Sequence, residues 1–150
     1  MKELYTELQD KHSLPPYKQM DEEFELSGIE NEEHYLRNVR RKMVEKIDKV
    51  IGILDDILHP ESSWASMVEE KVFPEEQGKK VLATYRRLKY YYRRNSELQV
   101  KDSDEENTKF INDLYAEWQG MQNEILAIVS KLKDAWTQEL TTKEKVGYLG

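Results

Sequence analysis

The sequence predicts an all-α protein, a helical bundle built around two long helices. Residues 36–58 and 110–136 each repeat apolar residues at alternating three- and four-residue intervals, which is the spacing of a bundle or coiled-coil seam. No run of alternating apolar and polar residues indicates a strand. Glycine (6) and proline (4) are scarce, as long uninterrupted helices require.

The composition is that of one globular domain spanning residues 1–150. The chain is 38% hydrophobic and 35% charged, a balance typical of amphipathic helices. It has no cysteine, which excludes disulfides, thiol nucleophiles and thiolate metal sites. No apolar window resembles a signal peptide or reaches the roughly 18 residues of a membrane span. We therefore expect a soluble, cytoplasmic protein without membrane contact.

The N-terminal part, residues 1–27, predicts short docked helices followed by the start of an acidic segment. A first short helix over residues 1–11 ends at Leu14-Pro15-Pro16, because proline disfavours helical geometry in the residue before it. A second short helix then carries Tyr17, Met20 and Phe24 on one face. Helices this short are stable only when they pack on a larger body.

The first long helix is predicted over residues 28–58. Ser27 and Glu30 have the spacing of a capping box. The helix is expected to end near His59-Pro60. Its apolar stripe comprises Ile29, Leu36, Val39, Met43, Ile47, Val50, Leu54 and Ile57.

A short helix and a medium helix are predicted next. Ser62 or Ser63 can cap a short helix that carries Trp64. Phe73-Pro74 then precedes a helix over residues 75–98, since proline is accepted in the first helical turn. Its predicted inward stripe comprises Val81, Leu82, Tyr85, Leu88 and Tyr92.

The second long helix is predicted over residues 104–138, capped by Ser103 or Asp104. A frayed tail over residues 139–150 follows, with Thr141 and Glu144 as a last cap. We expect Trp64, Trp118 and Trp136 to lie in the core. The helix's apolar stripe comprises Phe110, Leu114, Trp118, Met121, Ile125, Ile128, Leu132 and Trp136.

The formal net charge of -7 lies entirely in residues 21–33, which hold seven acidic and no basic side chains. The other residues carry 23 acidic and 23 basic side chains. Two interpretations are open. The acidic run lies across arginines of the same molecule and shields them, with Glu33 and Arg37 as one available pair, or it only favours a helix start and keeps the surface solvated.

A candidate binding patch lies in residues 85–94, which carry five positive charges and no acid. On a helical wheel Tyr85, Leu88 and Tyr92 point toward the core, and Arg87, Tyr90, Tyr91 and Arg94 lie together on the outer side. A second basic run lies early in the first long helix, and the two runs form one face if the helices lie side by side. The candidate patch comprises Arg37, Arg41, Arg87, Tyr90, Tyr91 and Arg94. These residues suit phosphate contacts with base stacking, or an acidic peptide, and equally a solvated helix face.

No catalytic, cofactor-binding or metal-binding residue is predicted. Only Asp56 and His59 show a carboxylate-x-x-histidine spacing, and a helical di-iron site needs two such motifs with further glutamates. Phosphate-binding loops and nucleophile elbows are absent. The run that begins at Leu36-Arg37-Asn38 resembles the helical domain of GINS-type replication scaffold subunits over a few residues, which implies no function. We expect no enzyme activity and no cofactor.

Small residues on the second long helix form a separate stripe. Ala116, Gly120 and Ala127 lie away from the apolar face, and Gly52 lies similarly on the first long helix. Because mid-helix glycine is destabilising by about 1 kcal/mol relative to alanine, a closely crossing helix from this chain or a second copy would explain it. Chance explains the stripe equally well.

The leading functional expectation is a non-enzymatic helical interaction or assembly module, whose partner is another protein or a second copy. The alternative is nucleic-acid binding through the candidate patch.

Overall fold

The computed structural model describes residues 2–60 and 63–137. In this part of the chain the secondary structure is helical and no strand occurs, which confirms the all-α prediction. The α-helices are α1 (Lys2–His12), α2 (Tyr17–Phe24), α3 (Tyr35–Leu58), α4 (Trp64–Glu70), α5 (Glu75–Val100) and α6 (Asp104–Ala135). A 3-10 helix, Leu26–Gly28, separates α2 from the segment that leads into α3.

Helices α3, α5 and α6 pack against one another and form the core of the bundle. Helix α5 runs antiparallel to α3, since Arg37 contacts Asp102 at one end and Asp55 accepts a hydrogen bond from Tyr85 at the other. The predicted stripes of the two long helices are buried from Leu36 to Leu54 and from Phe110 to Ile128. Burying one large apolar side chain stabilises a fold by about 1.5–3 kcal/mol, so this mutual burial dominates the stability of the bundle.

The N-terminal helices cover the side of the core formed by α3 and α6. Tyr5 is fully buried, and its hydroxyl donates a 2.6 Å hydrogen bond to the carbonyl oxygen of Pro15. Phe24 of α2 packs on Trp118 of α6, with ring centroids 5.6 Å apart. The Trp118 indole N–H donates to Glu23 at 2.9 Å. These contacts supply the tertiary packing that short helices need.

The predicted start of the first long helix is wrong. Helix α3 begins at Tyr35, and Ser27 lies in the 3-10 helix, where its backbone N–H donates to the Asp21 carboxylate at 2.7 Å. The residue before α3, His34, has a left-handed backbone with φ of 52°, which an N-terminal extension of the helix cannot contain. Ile29 is still buried, so an irregular segment places its side chain where the helical pattern predicted one.

Two predicted helix caps are confirmed, and the predicted burial of two tryptophans is wrong. The side chains of Ser63 and Ser103 accept hydrogen bonds from backbone N–H groups at the starts of α4 and α6. Trp118 is buried, as predicted, but Trp64 and Trp136 are each 54% exposed, so their assignment to the core is wrong. Trp64 begins the short helix α4 and Trp136 follows the last residue of α6, where fewer helices surround them. The predicted tail, residues 139–150, lies outside the described residues.

Replacement of Gly52 by alanine tests the helical assignment at an open position. Gly52 is exposed in the interior of α3, and a Cβ built there meets nothing within 4 Å. We expect Gly52→Ala to raise the free energy of unfolding by about 0.5–1 kcal/mol, because alanine is the better helix former. Urea unfolding followed by circular dichroism measures this change, and a decrease in stability would contradict the exposed helical position.

Candidate functional site

Helix α5 is rotated relative to the predicted orientation: Val81 and Leu88 are buried as predicted, and Tyr85 and Tyr92 are only partly buried against the core. Its buried positions recur at three- and four-residue intervals and comprise Val81, Thr84, Leu88, Tyr91, Asn95 and Leu98. Tyr91 is only 3% exposed and packs edge-on against Phe110, so its predicted outward position is wrong. Leu82, predicted to point inward, is 43% exposed. The polar residues Thr84 and Asn95 occupy core positions. A helical wheel that considers apolar residues alone therefore gives the wrong rotation of α5 about its axis.

Two of the predicted arginines face α6 and are neutralised there. Arg94 forms a 3.0 Å ion pair with Asp113. Arg87 lies 3.9 Å from Glu117 and 3.7 Å from Glu124. The Arg94 guanidinium also stacks over the rings of Tyr91 and Phe110. Arg94 is therefore satisfied within the molecule, whereas Arg87 lies near two carboxylates with its side chain still 44% exposed.

On α3, Arg37 forms a bidentate pair with Asp102, with both N–O distances at 2.8 Å. The predicted pair with Glu33 is wrong, because Glu33 precedes α3 and lies outside its helical spacing. Arg41 is exposed. Of the six residues in the candidate patch, only Arg41 and Tyr90 are therefore exposed without a described ion pair. The predicted patch does not form one continuous basic surface.

Asp102 also contacts a buried arginine, Arg40. Arg40 is fully buried, and its Nη2 atom lies 3.9 Å from the Asp102 carboxylate. Hydrogen bonds from Arg37 and Asn107 hold the pKa of Asp102 well below its usual range, while burial lowers the pKa of Arg40. The Nε and Nη1 atoms of Arg40 have no hydrogen-bond partner among the described residues. Asp102 thus fastens the start of α3 to the loop between α5 and α6.

A cationic face lies on the outer side of α5, opposite its core positions. It consists of Arg86, Lys89 and Arg93, which follow one another at three- and four-residue spacing. Within residues 2–60 and 63–137 none of the three has an ion-pair partner. The Lys89 amine lies 5.1 Å from the Tyr92 ring centroid, and the Arg93 guanidinium lies 5.5 Å from it. These cation–π contacts hold the cations along the helix.

An open groove of about 540 Å³ runs between α5 and α6. The buried side chains of Val81 and Ile128 form its floor, next to Ala83 and Ala127. Two lysines stand on its walls, Lys80 on α5 and Lys131 on α6. In the described chain neither has a carboxylate partner, although the Lys131 amine donates to the side-chain oxygen of Gln77. Small residues therefore line the groove, and the end near Lys80 and Lys131 is positively charged.

The predicted stripe of small residues continues from this groove along α6. Ala116, Gly120 and Ala127 are all exposed, and a Cβ at Gly120 would meet nothing within 4 Å. In the described residues no helix of the same chain crosses them. A closely packed helix within the molecule is therefore not the reason for these small side chains, and the prediction of one from a second copy or a partner stays open.

The acidic run forms hydrogen bonds within the N-terminal part of the chain and to α6. Asp21 accepts the Ser27 backbone N–H, and Glu23 accepts from Trp118 and Gln122. Across the described ranges no ion pair joins residues 21–33 to a basic side chain, but Glu30 lines a surface cleft with Arg41 and Lys42 of α3. The predicted shielding therefore stays a prediction. The exposed acids of the run are Glu22, Glu25, Glu30, Glu32 and Glu33.

Comparison with known proteins identifies no relative. No family model, no curated protein and no solved structure matches the chain. Among the described residues no group of three or more metal-binding side chains occurs, and His59 lies on the exposed surface, 3.9 Å from Asp55. No described helix is long and apolar enough to cross a membrane.

The contacts of Asp102 predict opposite effects of two substitutions. Asp102→Asn leaves Arg40 buried without a carboxylate, and we expect the free energy of unfolding at pH 7 to fall by about 3 kcal/mol. Arg40→Met removes the buried charge itself, so a change within about 1 kcal/mol or a gain is expected. Chemical denaturation of both variants measures this difference. Equal losses would show that the carboxylate does not act by compensating the buried guanidinium.

The same contacts predict a pH dependence. Because the pKa of Asp102 is lowered on folding, its contribution is complete above the unfolded value of about 3.9 and is lost as the pH falls below it. We expect the stability of the wild type to decrease between about pH 4 and pH 2 more steeply than that of Asp102→Asn. Parallel acid titrations of the two proteins test this, and identical slopes would contradict it.

Proposed function

We propose that this protein is a non-enzymatic helical interaction module that binds an amphipathic helix of a partner protein in the groove between α5 and α6. The observation that carries the proposal is the groove itself, which has an apolar floor and small side chains at Ala83 and Ala127. Small side chains let a second helix backbone approach closely. A helix seated there would complete a four-helix arrangement around the existing core.

The charges of the groove indicate the chemistry of its occupant. Lys80 and Lys131 stand at the same end of the groove and have no carboxylate partner among the described residues. Nearer its middle, Arg87 is already balanced by Glu124. A partner helix with small or apolar residues facing Ala127 and acidic residues near the two lysines is therefore complementary to this surface.

Nucleic-acid binding, the alternative, receives less support. Tyr91 is buried, and Arg37, Arg87 and Arg94 are paired with acidic residues. These groups therefore have no free ring face or free charge with which to hold bases and phosphates. Outside residues 21–33 the chain carries 23 acidic and 23 basic side chains, which is not the strongly basic character of a nucleic-acid-binding domain.

A displayed library of helix-forming peptides with one randomised face provides a defined probe of the groove. We expect selection on the purified protein to enrich small residues on that face and Asp or Glu at one end. Binding should persist at about 0.5 M salt, because an apolar contact is not screened. Random sequence preferences, or binding that disappears at this salt concentration, would contradict the proposal.

Two matched substitutions locate the binding site. Ala127→Trp fills the groove, and we expect the affinity of the selected peptides to fall at least about tenfold. Gln119→Trp places the same side chain at an exposed position of α6 outside the groove and should leave the affinity unchanged. Fluorescence titration measures both, with circular dichroism as the folding control. Equal affinities for the two variants would exclude the groove as the site.

A further inference from the structure

We infer that copies of this protein associate head to tail, with the cationic face of α5 of one copy binding the acidic segment of the next. This contact uses a surface different from the groove between α5 and α6, and it is independent of the proposed partner helix. The inference starts from two charged surfaces whose charged side chains form no ion pair within the described part of their own molecule, although Glu30 shares a surface cleft with Arg41 and Lys42 of α3.

The first surface is the cationic face. Arg86, Lys89 and Arg93 lie on one side of α5, and none of them has a described ion-pair partner. The arginines at neighbouring positions, Arg87 and Arg94, are paired with acids of α6. Helix α5 therefore separates its cations into a neutralised set toward α6 and a free set away from the core. The free set attracts an anionic partner.

The second surface is the exposed segment that leads from the 3-10 helix into α3. Glu30, Glu32 and Glu33 are exposed and have no described ion pair. Helix α2, which begins the acidic run, packs toward α3 and α6. The cationic face points away from both of these helices, because it is opposite the core positions of α5. Glu30 lies beside Asn38, Arg41 and Lys42 of α3, so the acidic segment borders α3, whereas the cationic face lies on the outer side of α5.

The acidic segment is no longer than the cationic face. From Arg86 to Arg93 the helix rises by about 10 Å at 1.5 Å per residue. From Glu30 to Glu33 a chain reaches at most about 10 Å. The Glu33 backbone N–H donates to the Asn31 side chain at 2.9 Å, and this turn brings the three carboxylates closer together than an extended chain would, so they can lie within the length of the cationic face.

The distribution of net charge permits the approach of two copies. The excess of acidic residues is confined to residues 21–33, and the rest of the chain carries 23 acidic and 23 basic side chains. A second copy that approaches α5 with its acidic segment therefore meets a surface without excess negative charge. Because the two contacting surfaces differ, the contact is heterologous and repeats from copy to copy in rings or open chains.

The experiment uses two neutralised variants of the whole protein. One carries Arg86→Gln, Lys89→Gln and Arg93→Gln, and the other carries Glu30→Gln, Glu32→Gln and Glu33→Gln. At about 20 mM salt we expect the wild type to sediment faster as its concentration rises, and at about 500 mM salt this increase should disappear. Each variant alone should remain a monomer at both salt concentrations.

An equimolar mixture of the two variants gives the decisive result. The cation-neutralised copy retains its acidic segment and the acid-neutralised copy retains its cationic face, so we expect a complex of one copy of each and nothing larger. Isologous association through one shared surface would not give this result. Monomers only in the mixture, or variants that associate like the wild type, would overturn the inference.

Three controls distinguish this contact from a general effect of net charge, from binding in the groove and from nucleic-acid binding. Lys18→Gln, Lys49→Gln and Lys109→Gln together lower the net charge as much as the cation-neutralised variant does, at exposed positions elsewhere, and should leave association unchanged. Ala127→Trp should also associate normally, which keeps this result separate from the peptide experiment. A single-stranded oligonucleotide that binds the wild type and competes with self-association would assign the cationic face to nucleic acid and overturn the inference.

Discussion

The mutual burial of α3, α5 and α6 determines the direction of the charged side chains on these three helices. Each helix has one set of positions facing the other two, and the remaining positions are fixed by helical geometry. On α5, the burial of Leu88 and Tyr91 turns Arg87 and Arg94 toward α6 and Arg86 and Arg93 away from the core. Neighbouring residues with the same charge thus acquire different environments. The chemistry of the surface is a consequence of the core.

The two long helices could be predicted from the sequence because their stripes are almost entirely apolar. Leu36, Met43 and Leu54 on α3 and Phe110 and Trp118 on α6 leave only one phase consistent with burial. The start of α3 could not be predicted in the same way. Ile29 continues the apolar pattern, but a left-handed residue at His34 separates it from the helix, and a capping box at Ser27 is indistinguishable by spacing from an unused one.

The phase of α5 shows why the candidate site was less predictable than the fold. Thr84 is 2% and Asn95 is 5% exposed, so two of its core positions are polar. Because positions 90–92 are all tyrosine, several rotations of α5 about its axis bury a similar number of apolar residues. The signal that resolves them is the acidic ladder on α6, since Asp113, Glu117 and Glu124 recur at spacings that match Arg94 and Arg87 on an antiparallel neighbour. Recognising it requires the pairing of α5 with α6, which no single helix reveals.

The three core helices differ in how much of their outer surface the rest of the chain covers. Helices α1 and α2 pack over α3 and α6, and α4 contacts the same two helices. Helix α5 contacts only α3 and α6 extensively, so its outer side and its groove with α6 stay uncovered in the described chain. Both surfaces belong to one rigid helix, yet one is apolar at its floor and the other is cationic. The two proposed contacts, an apolar partner helix in the groove and an acidic segment on the cationic face, would therefore use separate surfaces of α5.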